Sequence, residues 1–203
     1  YYALDITDPD NPRALWEFTH NNLGLTFGKA EITKLKDGTW VVLVASGYNN
    51  VSPGDGQGRL FVLRANDGAL LRTIDTGVGT TGTPRGMAQI RAWVDRTEVN
   101  NTTLRVYGGD GLGNLWRFDV NNDIGSGGYD AQLLATLRDG SGNPQPLTAR
   151  PELGLVNGNA MVYVGTGRYL GVTDLSDRGQ QTIYAIKDTL GSSSWGNPRV
   201  TGN

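Results

Sequence analysis

The sequence predicts an all-β fold, a partial β-propeller of about three and a half four-stranded antiparallel blades. Three observations carry that expectation. Glycine supplies 30 of 203 residues, about twice the ~7% of ordinary usage, and each interior glycine weakens a helix by roughly 1 kcal/mol. The strand Leu60-Phe61-Val62-Leu63 recurs as Leu115-Trp116-Arg117-Phe118 and Ile183-Tyr184-Ala185-Ile186, and Tyr1-Tyr2-Ala3-Leu4 fits the same column. Each copy runs into a polar turn: Thr7-Asp8-Pro9-Asp10, Asn66-Asp67-Gly68, Asn121-Asn122-Asp123 and Lys187-Asp188-Thr189. Such residues supply the positive φ that tight hairpins need.

In chain order, residues 1–18 form the end of a preceding blade, 28–78 one blade, 86–138 another, and 148–187 most of a further one. All of 1–203 belongs to one propeller domain on this reading. A first-strand column holds Lys29-Ala30-Glu31-Ile32, Met87-Ala88-Gln89-Ile90 and Arg150-Pro151-Glu152-Leu153. Ile32, Ile90 and Leu153 are therefore expected at equivalent places on consecutive wedges. A second column holds Val44-Ala45-Ser46-Gly47, Tyr107-Gly108-Gly109-Asp110 and Val164-Gly165-Thr166-Gly167. The fourth reads Ala14 to Phe18, Leu70 to Ile74 and Leu133 to Leu137, with the alternation of half-buried strands. Four short strands recurring about every 55–65 residues match a propeller blade better than a sandwich or a β-helix. Packing between blades falls to Trp40, Phe61, Trp93, Trp116, Phe118, Tyr163 and Tyr184, each worth roughly 1.5–3 kcal/mol when buried. Gly47, Gly109 and Gly167 end strands where blades crowd together. Closed propellers have typically 4–8 blades, so the remaining blades are expected outside this segment and count as its partners.

Composition narrows the function. Eighteen basic and 20 acidic residues give a net charge of −2, so no nucleic-acid footprint is present. With no cysteine and one histidine, His20, thiol nucleophiles, thiolate metal sites and multi-histidine centres are excluded. No apolar run is long enough to span a membrane as a helix. The chain opens on strand-like Tyr1-Tyr2-Ala3-Leu4 without methionine or leader, as expected of a segment cut from a larger protein, so the lack of a signal peptide says nothing of export.

No catalytic or cofactor-binding residue is assigned. Gly109-Asp110-Gly111-Leu112-Gly113 lacks the lysine and the following helix of a phosphate loop, and reads as a hairpin turn. His20 reads as a solvated residue in a blade-to-blade connection. The Asp-Gly pairs at Asp37, Asp55, Asp67 and Asp139 read as turn formers. Partner contacts are placed on the two longest loops between second and third strands, at Tyr48, Asn49 and Asp55 and at Arg168, Asp174 and Asp177, because rigid scaffolds present function on loops.

Phe27-Gly28-Lys29-Ala30-Glu31-Ile32-Thr33-Lys34-Leu35, continuing through Asp37-Gly38-Thr39-Trp40-Val41-Val42 to Ala45-Ser46-Gly47-Tyr48-Asn49, resembles the C-terminal propeller of the PilC/PilY family. Val106-Tyr107-Gly108-Gly109-Asp110 with Gly113-Asn114-Leu115-Trp116-Arg117-Phe118-Asp119, and Gly165 to Gly171 with Asp174 to Asp177, agree in the same order. The family comprises type IV pilus biogenesis proteins and pilus-tip adhesins. The resemblance implies a larger, seven-bladed, quinoprotein-like propeller in an exported bacterial protein of the outer membrane, cell surface or pilus tip. It implies a non-enzymatic role in pilus assembly, in countering retraction, and in attachment or twitching motility, with pilins, minor pilins and a host surface receptor as partners.

It also implies a calcium loop just before Val106-Tyr107. That loop falls on Arg96, Glu98, Asn100, Thr102 and Leu104, of which Glu98 and Asn100, with Asp95 one residue away, could offer side-chain oxygens. Calcium wants six to eight oxygens with several carboxylates, so a polar hairpin without metal is expected instead. Tyr2-Ala3-Leu4-Asp5 followed by Leu15-Trp16-Glu17-Phe18 also resembles quinoprotein dehydrogenase repeats, an alternative that requires a metal-bound quinone. The Gly-His and Trp-Asp signature of WD repeats is absent.

Overall fold

The structure, a computed structural model, describes residues 1–124 and 127–200; Gly125 and Ser126, within the 86–138 segment, and Thr201–Asn203 lie outside the described residues. Thirteen strands run in order among the described residues: β1 (Tyr2–Asp5), β2 (Arg13–Glu17), β3 (Glu31–Lys34), β4 (Trp40–Ala45), β5 (Arg59–Arg64), β6 (Leu70–Asp75), β7 (Ile90–Val94), β8 (Thr103–Gly109), β9 (Asn114–Phe118), β10 (Ala131–Thr136), β11 (Glu152–Val156), β12 (Asn159–Gly165) and β13 (Ile183–Asp188). They form sheets β1-β2, β3-β4-β5-β6, β7-β8-β9-β10 and β11-β12-β13, each strand antiparallel to its sequence neighbour. That is the expected propeller sector.

Each sheet buries a face only against the next. Phe18, Val42, Val44, Phe61 and Leu63 form the core between the first two sheets. Val41, Leu43, Leu60, Val62 and Ile74 meet Ile90, Val106, Trp116 and Phe118 in the second. Tyr107, Leu115, Leu134 and Leu137 meet Val162, Val164, Tyr184 and Ile186 in the third. Neighbouring residues of β4 and β5 thus point into different cores, which is why Val41 to Ala45 and Leu60 to Leu63 read as unbroken apolar runs rather than alternating ones. β13, covered on one face, alternates strictly: Tyr184, Ile186 and Asp188 are buried and Ile183, Ala185 and Lys187 exposed.

The structure corrects several residue-level expectations. Ile32 pairs with Val42 and Leu153 with Val162, but the residue pairing with Val106 is Ala92. Ile90 pairs with Gly108, two positions earlier on the same face, so it is buried where Ile32 is exposed. Trp40 and Tyr163 do not pack between blades. Trp40 opens β4 at the sheet end, Tyr163 lies on the outward face of the last sheet, and both are exposed. His20 is not free in solvent: it is half-buried, its ring lies 5.0 Å from that of Phe61, and its Nδ1 accepts the Asn22 amide.

After β13 the chain returns to the neighbouring sheet. The Trp195 amide donates to the Leu134 carbonyl and the Thr136 amide to the Gly196 carbonyl, while the Trp195 indole donates to the Lys187 carbonyl. This short strap covers part of the outer edge of β10.

Candidate functional site

The meander sends the connections after even-numbered strands to one rim. Backbone bonds stitch that rim from sheet to sheet: Gly47 N to Met87 O, Arg85 N to Gly56 O, Gly111 N to Arg85 O and Leu147 N to Asp110 O. Both long loops, 46–58 and 166–182, stand on it. Gly28 and Gly47 are needed for the close approaches. A Cβ on Gly28 would lie 1.7 Å from the Ala88 carbonyl oxygen, and Gly47, at φ +76°, would meet the Leu25 carbonyl at 2.4 Å.

In the first loop, Tyr48 is half-buried, packed on Phe27 (ring centroids 6.3 Å apart) and against Gly86, and burial raises its hydroxyl pKa. Asn49 is exposed in a left-handed conformation at φ +57°. Asp55 holds both terminal nitrogens of Arg59 at 2.6 Å and accepts the Gln57 amide, and Arg59 also pairs with Asp75. The hydrogen bonds from Arg59 pull the Asp55 carboxyl down to about 2. A folded pKa below the ordinary ~3.9 means that folding favours the ionised form, so its stabilisation is present above about pH 4 and lost as pH falls toward 2. Urea midpoints at pH 5, 3 and 2 are expected to fall less for Asp55→Asn than for the native chain. Equal falls would remove Asp55 from the acid response.

In the second loop, Asp174 sits in the short 3₁₀ turn Val172–Ser176. Its Oδ2 accepts the Leu170 and Gly171 amides and its Oδ1 the Arg168 guanidinium, and the Leu170 amide chiefly lowers its pKa. Asp177 accepts the Gly179 amide. Arg168 and Asp177 line a groove of about 370 Å³ with Leu112, Asn143, Pro144 and Gln180. Thus Asp55, Arg168 and Asp174 shape their own loops, while Asn49 and Asp177 remain exposed. The two groups belong to sheets separated by the β7–β10 sheet, so the structure does not bring them into one pocket.

Sequence reasoning missed the apolar tip that this framework presents. Val172 is 82% exposed and Tyr169 72%, with Leu170 and Leu175 beside them. The signal was available as Tyr169-Leu170, Val172 and Leu175 inside an otherwise polar loop.

Asp95, Glu98 and Asn100 lie in the hairpin between β7 and β8. Asp95 Oδ2 accepts the Asn100 amide nitrogen, Asn100 Oδ1 accepts the Thr102 amide, and the Arg96 guanidinium stands 3.9 Å from Asp95. No group of three His, Cys, Asp or Glu among the described residues is placed to hold a metal ion. The donor set does not fit calcium, which takes six to eight oxygens. Among the described residues no helix is long and apolar enough to cross a membrane.

The family described as the PilY1 beta-propeller domain matches residues 1–203. The type IV pilus biogenesis factor PilY1 of Pseudomonas aeruginosa is 31% identical over 228 aligned residues, covering 98% of this chain and 19% of that protein. A PilY1 homolog of Xylella fastidiosa is 33% identical over 193 residues, covering 92% of this chain and 15% of its own length. The crystal structure of the Pseudomonas aeruginosa PilY1 C-terminal domain superposes with a TM-score of 0.80 at 27% identity, over 95% of this chain and 45% of that one. The chain therefore spans a fifth or less of these two curated relatives.

Proposed function

Because the chain belongs to the PilY1 β-propeller family, we propose that it serves type IV pilus biogenesis as a binding module rather than as an enzyme. The match over the whole chain, in register with the propeller, is the observation that carries the reading. The finer roles follow the same line: support of pilus assembly, opposition to retraction, and surface attachment or twitching, at the cell surface or pilus tip, with pilins, minor pilins and a host receptor as partners.

The contact surface proposed is the loop rim. Asp55, Arg168 and Asp174 hold the loops in shape; Asp177 offers a polar contact in the loop that carries the apolar tip, and Asn49, with Tyr48 partly exposed, offers polar contacts in the other loop on the same rim. Apolar side chains held out by a fixed framework favour association, since burying them in a partner removes them from water.

Deleting the gene and counting surface pili, with retraction intact and then disabled, tests the function. Loss of pili that returns when retraction is disabled supports the anti-retraction role. Unaltered pili in both backgrounds overturns the assignment. Replacing Tyr169, Leu170, Val172 and Leu175 by serine is expected to leave the unfolding midpoint unchanged and to lower piliation or attachment several-fold. Native levels of both would remove the tip from the contact surface. A quinoprotein reading is separated by absorbance, because a bound quinone absorbs in the visible.

A further inference from the structure

We propose that the β7–β8 hairpin, residues 95–102, is a metal-free clasp between neighbouring blades, fastened by the main-chain carbonyl of Asn101 to β3 of the adjacent sheet. The corresponding connection in the next sheet, β11 to β12, is the tight turn at Asn157-Gly158. The β7–β8 hairpin is longer, and it reaches the neighbouring blade.

Its inside is closed by its own donors. The amides of Val99, Asn100 and Asn101 all converge on the Arg96 carbonyl, and the Asp95 amide donates to the Thr102 carbonyl. Asn101 adopts the left-handed conformation, φ +46°, which asparagine tolerates better than most residues. Its carbonyl accepts the Lys34 amide at 3.1 Å and the Thr33 hydroxyl at 2.8 Å, both on β3. Lys34 and Thr102 form a parallel bridge, and the Asn101 side-chain amide donates to the Ile32 carbonyl. Thr33 and Thr103 share a hydroxyl contact of 2.5 Å, both fully buried.

A second tie lies beside it. The Lys36 amide donates to Asn121 Oδ1, the Asn121 amide nitrogen donates to the Thr103 and Leu104 carbonyls, and Lys36 pairs with Asp123. β3 ends here, so the last residues of its unpaired edge are satisfied by the neighbouring blade rather than by water.

A cation in this hairpin would compete with those donors for the same oxygens. The Arg96 carbonyl, Asp95 and Asn100 are already hydrogen-bonded within the loop, the Asn101 carbonyl is directed at β3 of the preceding blade, and Leu104 brings no side-chain oxygen. Of the two acids in the hairpin, Asp95 already accepts from Asn100, which leaves Glu98. One carboxylate does not supply the charge or oxygen count of a calcium site. The joint between the blades therefore holds with or without calcium, and a calcium response of this protein does not pass through it.

The test uses the full protein, with calcium chloride as the probe. Amide exchange at Lys34, followed by mass spectrometry of the peptide over 31–36, is expected to be slow and equal in calcium and in chelator. Thr33→Val, which removes the hydroxyl's bonds to the Asn101 carbonyl and to Thr103, is expected to speed it at least about fivefold, the worth of the first of the two. Calcium binding by calorimetry, if any, is expected to be unchanged by Asp95→Asn with Glu98→Gln. Binding abolished by that pair, or Lys34 protection that appears only in calcium, overturns the proposal. So does unprotected exchange at Lys34 in both conditions, which needs no variant to fold.

Discussion

Asp188→Ala is expected to destabilise the fold by about 3–5 kcal/mol. Asp188 is 4% exposed and ties the last sheet to its neighbour. One oxygen takes the Arg117 guanidinium at 2.6 Å and the Leu190 amide, and the other takes the Tyr107 hydroxyl at 2.7 Å. Arg105 donates to that same hydroxyl and stacks on the Trp93 ring at 4.4 Å. Burial, reinforced by the negative charge of Asp188, raises the Tyr107 pKa well above that of a free phenol. Removing the carboxylate leaves two arginines buried without their counter-charge, and that desolvation outweighs the loss of any single hydrogen bond. Denaturant unfolding followed by tryptophan fluorescence measures it. A change below about 1 kcal/mol, the range of surface pairs, would show that the network is not holding the sheets together.

Phe61→Ala is expected to cost about 3–5 kcal/mol, the range for emptying a buried phenylalanine site. Phe61 is fully buried and joins the first two sheets, with its ring 5.5 Å from Phe18 and 5.0 Å from His20. The two-stranded β1-β2 sheet has few other anchors: Tyr1 and Trp16 are only partly buried against this core. Phe61→Leu, which keeps most of the volume, is expected to lose less than Phe61→Ala. Equal losses would mean that the site collapses around either residue.

The repeat was legible because it rests on local physics. Period-two burial, Asp-Gly and Asn-rich turns, and strand glycines all act within a few residues, so the four sheets follow from the sequence. The register of β7 did not, because Ile90 and Ala92 lie on the same face and apolar pattern alone cannot choose between them. Trp40 and Tyr163 looked like core because composition carries no record of which neighbour covers a face. That Asp55 and Asp174 brace their own loops was not legible, because their partners, Arg59 and the Leu170 amide, become adjacent only once the loops fold. The Asn101 contact is made by the main chain, which leaves no mark in side-chain pattern.

The two-sided burial of β4 and β5 has an evolutionary corollary. Val42 and Val44 answer to Phe18 and Phe61, whereas Val41 and Leu43 answer to the cluster with Ile90 and Phe118. Residues adjacent along the chain are thus under separate selection, and compensating changes in descendants of this gene should pair each position with a different blade from the one its chain neighbour tracks.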